Sequence, residues 1–110
     1  MLIIYVFGIP AGASIKSLHQ LREKLVAAAI MSFYKLEKAP RCYLVPDNIP
    51  GQWNDTMTIS VCKVGEVDFW EESKAGLLEN LAEIARTSAF KPSSCLAYIQ
   101  TAEQSFFKKF

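Results

Sequence analysis

Leu2-Ile3-Ile4-Tyr5-Val6-Phe7 is a run of aliphatic, β-branched and aromatic residues that stops at Gly8 and Pro10. Such a run is a strand, and its lack of alternation predicts that both of its faces are covered. Such a strand needs a covering on each of its two faces.

The next segments supply the first of these. Ser14 and Ser17 are both candidate helix caps, and Ser17 with Gln20 has capping-box spacing. Leu18, Leu21, Leu25, Ala28, Ala29 and Phe33 then recur mostly at three- and four-residue steps, which predicts an amphipathic helix reaching roughly to Tyr34. After Pro40, Cys42 to Val45 reads as a strand ending at Pro46-Asp47, and Pro50, Gly51 and Asn54 mark a turn-forming loop.

The second half repeats the order. Met57-Thr58-Ile59-Ser60-Val61 alternates apolar and polar residues, the mark of a strand with one well-buried face, and Gly65 ends it. Asp68 with Glu71 predicts a helix start with cap and capping partner. Leu77, Leu78, Leu81, Ile84 and Ala85 form the apolar stripe of that helix, with Gly76 inside it. Cys95 to Gln100 is a fourth strand, and Ser105 to Phe110 is a candidate short fifth.

The fold class is therefore α/β (α+β): two pseudo-repeated βαβ units forming a four-stranded sheet. Right-handed crossovers put both helices on one face of that sheet. The other face stays bare although the first strand is apolar on both sides. A bare apolar face of that size is an association surface, so the chain is expected to form an oligomer with its sheets facing each other.

Composition narrows the function classes. The 110 residues suit a single domain, 1–110, small enough for association to help stabilise it. With 51% hydrophobic and 21% charged residues the chain is globular and not disordered. A formal net charge of +1 offers no electrostatic footprint for nucleic acid. The Leu2–Phe7 run is too short for a membrane span and lacks signal-peptide flanks, so a cytoplasmic location is expected. Cys42, Cys62 and Cys95 are odd in number and lack CxxC spacing, which predicts buried free thiols without disulfides or a zinc site. His19 stands without a Cys or acidic partner at ligand spacing and reads as solvent-exposed. The Gly8-to-Ala13 loop matches neither the dinucleotide fingerprint nor the P-loop, so no cofactor or metal is expected.

Several stretches resemble the tautomerase superfamily, in particular longer members such as macrophage migration inhibitory factor. Leu44-Val45-Pro46-Asp47 is similar to the valine-proline-aspartate end of that family's second strand. Val61-Cys62-Lys63-Val64-Gly65 resembles its isoleucine-glycine-lysine-isoleucine-glycine strand end. Glu72 to Ala85 resembles its second helix, and Tyr98-Ile99-Gln100 its tyrosine-isoleucine-asparagine strand. The resemblance covers nearly the whole chain in element order and length, and a bacterial branch of similar length matches equally well.

The resemblance implies a homotrimer with inter-subunit pockets and a keto–enol isomerase that uses an amino-terminal proline as base. Here position 2 is Leu2, so the group in that place is the Met1 α-amine, and α-amines titrate close enough to neutrality to act as bases. The same resemblance places Lys38, with Lys35 as rival, against the carboxylate of a small keto acid. It also places Val61 on the pocket wall, and Tyr98 and Gln100 as residues reaching in from a neighbouring subunit. Two other readings stand beside this one. The same fold could be a non-catalytic module binding a small ligand or a protein, with Met1 an ordinary terminus and Lys38 a solvated loop residue. The strand–helix order also suits a ferredoxin-like binding domain, which would be a monomer or dimer.

Overall fold

The computed structural model describes residues 1–33, 36, 38–47 and 55–100. In chain order the elements are β1 (Leu2–Ile9), α1 (Ile15–Ser32), β2 (Arg41–Pro46), β3 (Thr56–Lys63), α2 (Trp70–Arg86) and β4 (Ser94–Gln100). The four strands form one sheet in the order β2-β1-β3-β4. β1 pairs parallel with β2 and β3 parallel with β4, and the two βαβ units join antiparallel through β1 and β3. The expected fifth strand at Ser105–Phe110 and the rival pocket lysine, Lys35, lie outside the described residues.

Register sorts every strand residue onto one of two faces. Leu2, Ile4 and Val6 lie opposite Lys63, Val61 and Ile59, and Met57 and Ile59 lie opposite Cys95 and Ala97. This face meets the stripes of both helices, Leu21, Leu25 and Ala29 on α1 and Leu77, Leu81 and Ala85 on α2, in one buried cluster. Complete burial of a Leu or Ile side chain stabilises by about 1.5–3 kcal/mol, so this layer holds the fold together.

The opposite face carries Ile3, Tyr5 and Phe7 on β1, Tyr43 and Val45 on β2, and Leu96 and Tyr98 on β4. Helices leave it open: Leu96 is 60% exposed and Tyr43 45%. Tyr5 stacks on Tyr43 and Phe7, with ring centroids 5.6 and 6.3 Å apart. The expectation that both faces of β1 are covered holds only for the helix side in the isolated chain, because the second covering cannot come from its own two helices.

The helix starts differ in mechanism. Ser14 caps α1, its Oγ accepting from the Ser17 backbone N–H at 3.1 Å. Asp68 does not cap α2. That place belongs to Phe69, which holds a left-handed backbone with φ 61° and makes no side-chain cap, so Glu71 and Glu72 are what complement the helix dipole. Trp70 begins the helix and stacks flat on Phe33 at 6.0 Å, with Lys63 Nζ 5.7 Å from its ring.

Gly8 is where β1 slips register against β2, between Phe7 and Ile9. Its φ is 83°, and a Cβ there would stand 2.2 Å from the Thr56 carbonyl oxygen. Backbone conformation and close approach therefore both require glycine.

Candidate functional site

Antiparallel pairing of β1 with β3 brings the residues after β3 beside the residue before β1. The Met1 backbone carbonyl accepts from the Val64 N–H at 2.8 Å, and the Met1 amine donates to the Val64 carbonyl at 2.8 Å. These two bonds extend the sheet by one step and fix the amine at the end of β1.

A cavity of about 340 Å³ opens there. Met1, Val64 and Gly65 form one side, Leu36 and Lys38 another, and Glu66, Val67 and Asp68 a third. Two sequence-predicted residues, Met1 and Lys38, thus share one pocket. It holds two amino groups, at Met1 and Lys38, and two carboxylates, Glu66 and Asp68. Val67 is buried while both carboxylates are exposed, so the apolar surface lies deep and the acidic groups at the rim.

The remaining predicted residues lie elsewhere. Val61 faces the helices and is fully buried opposite Ile4, so it packs in the core and does not line this pocket. Tyr98 and Gln100 stand on the open face of β4. Gln100 Oε1 accepts from Ser60 Oγ at 3.0 Å, and that pairing satisfies a hydroxyl whose residue is only 1% exposed. Neither Tyr98 nor Gln100 lines the Met1 pocket of its own chain.

Glu66 and Asp68 are pocket residues that the sequence reading misses. Their signal is the strand order: once β3 is antiparallel to β1, the loop after Gly65 must pass the start of β1. His19 is exposed, with its Nδ1 3.4 Å from Arg22 Nη2. Among the described residues no group of His, Cys, Asp or Glu is arranged to hold a metal ion. Cys42 is buried whereas Cys62 and Cys95 are half-buried, and all three are free thiols. Among the described residues no helix is long and apolar enough to cross a membrane.

No family model matches the chain, and no curated protein matches its sequence. Solved structures do match. Leishmania major MIF2 superposes with a TM-score of 0.65 at 11% identity, over 93% of this chain and 87% of that one. A macrophage migration inhibitory factor-like protein from Entamoeba histolytica matches with a TM-score of 0.61 at 9% identity, over 97% and 93%. A fused 4-OT, an asymmetric trimer, matches with a TM-score of 0.60 at 16% identity, over 93% and 87%. The chain has the tautomerase/MIF-like α+β fold.

Proposed function

We propose that this protein is a tautomerase-fold homotrimer that takes a small carboxylate in the Met1 pocket and shifts a proton on a keto acid there. The observation that carries the reading is that the Met1 amine and Lys38 line one cavity at the end of β1. In the trimer the open sheet faces cover one another, and Tyr98 and Gln100 of one subunit approach the Met1 pocket of the next. Three copies also account for the second apolar face of β1, which its own helices leave bare.

The chemistry needs one base and one anion partner. Lys38 pairs with the substrate carboxylate. The unprotonated Met1 amine takes the proton from the enol oxygen and returns it to carbon, leaving the keto acid and the free amine, so no proton is gained or lost overall. The hydrogen bond to the Val64 carbonyl holds the amine at the cavity.

The same hydrogen bond supports a second reading. An amine held as a donor to a backbone carbonyl serves the sheet, and the pocket then binds small acids without turning them over. Enol-to-keto conversion of small aromatic and aliphatic 2-keto acids separates the two. On the leading reading the protein accelerates conversion, and carbamylation of the Met1 amine abolishes the acceleration. If only a Leu2→Pro variant freed of its initiator methionine is active, the pocket is a binding site and the second reading stands. If neither accelerates the reaction, both the amine's role and the pocket assignment fall.

A further inference from the structure

A second concavity lies on the other flank of the chain, between the outer side of α1 and the edge strand β2. It consists of two adjoining depressions of about 510 and 340 Å³ that share Arg22, Cys42 and Tyr43. Val26, Ile30 and Pro40 give the larger one an apolar lining, and Leu18 and Leu44 do so for the smaller. Ile30 stays 48% exposed, so α1 presents apolar surface here that its own core does not use.

The charges along this trough are unbalanced. Arg22 and Arg41 both line the larger depression, against the single carboxylate of Glu23. Among the described residues neither arginine makes an ion pair, although Arg22 Nη2 rests 3.4 Å from His19 Nδ1. Two guanidiniums beside an apolar channel match a ligand with an anionic head and a hydrocarbon body.

We infer that the α1–β2 trough is a binding site for a small amphipathic carboxylate, its head held by Arg22 and Arg41 and its chain laid along Val26 and Ile30. The site is separate from the Met1 pocket, and the inference does not rest on the isomerase reading. Guanidinium forks suit a carboxylate because both oxygens can be met at once. The chain contributes by area, so affinity rises with its length.

The test is calorimetric titration of the whole protein with hexanoate, octanoate and decanoate, using 1-octanol as the headless control. The expected result is binding that tightens about fourfold per methylene. Octanoate should bind at least tenfold more weakly to Arg22→Gln, and also more weakly to Arg41→Gln and Ile30→Gln. All three positions are exposed, so these variants fold. Lys38→Gln, whatever it loses at the Met1 pocket, should keep the site whose affinity rises with chain length. Octanol binding as tightly as octanoate, or an Arg22→Gln variant with native affinity, overturns the inference. So does loss of the chain-length-dependent binding in Lys38→Gln, which would move the ligand to the Met1 pocket. Affinity that falls as protein concentration rises would make the trough an interface between copies, and no binding to any of the acids ends the proposal.

Discussion

Replacing Gly8 by alanine should destabilise the protein more than a methyl added at Gly12, Gly65 or Gly76. Two costs combine there. The left-handed backbone, φ 83°, disfavours an L-residue by about 1–2 kcal/mol. The new Cβ would also meet the Thr56 carbonyl oxygen at 2.2 Å, and that atom belongs to a strand that cannot rotate away. Relief requires the β1 bulge or the start of β3 to shift, so the total should reach about 3–5 kcal/mol, the range of overpacking and strained-backbone mutants. A chain of this size is stable by about 5–15 kcal/mol, so the loss would be a large fraction of the whole. Gly12 separates the two costs, because its φ is 81° and a Cβ there meets nothing within 4 Å. Gly12→Ala should therefore cost only about 1–2 kcal/mol. Urea unfolding at fixed protein concentration, with the three proteins compared by midpoint, gives the answer. Equal losses at Gly8 and Gly12 would refute the steric argument, and a Gly8→Ala variant within about 1 kcal/mol of the native protein (one methylene's worth) would refute both.

Other positions make independent tests. Gly76 lies in α2 at an ordinary helical φ, and a methyl added there would meet nothing within 4 Å, so Gly76→Ala should raise stability by about 0.5–1 kcal/mol in the same assay. Ser14→Ala removes the acceptor for the Ser17 N–H and should cost about 1 kcal/mol, whereas Asp68→Ala should cost α2 no cap at all. Burial pushes the Cys42 thiol up from 9.0 to about 11, with the Arg22 charge opposing. Its alkylation by iodoacetamide in the native protein should stay slow at pH 8 and climb with pH toward 11. The sign for stability follows: the unfolded thiol ionises first, so Cys42 withdraws stability as pH rises from 9 toward 11, and a native thiol that alkylates fully at pH 8 would contradict its burial.

How much of the fold and the site is legible in the sequence depends on whether the signal is local. β1, α1 and β4 can be read because apolar runs, three- and four-residue steps and bounding glycines are local features, and the observed bounds differ from the reading by a residue or two. The bare sheet face follows from handedness alone, since two right-handed crossovers leave the far side uncovered. The start of α2 misleads because Asp68 and Glu71 have capping spacing, while the left-handed turn at Phe69 has no signature in a phenylalanine. Val61 illustrates a conflict between two kinds of reading. Its parity with Met57 and Ile59 assigns it to the buried face, whereas the pocket role comes from resemblance. Glu66 and Asp68 enter the pocket only because β3 runs antiparallel to β1, a pairing that no local pattern encodes.

The native mass of the protein at micromolar concentration decides whether the proposed site can exist. That site draws Met1 and Lys38 from one subunit and Tyr98 and Gln100 from the next, and it forms only if the open sheet faces meet. The expected species has three times the mass of the 12.3 kDa chain. A monomer at that concentration would leave Leu96, Tyr43 and Tyr98 in water and contradict the proposal.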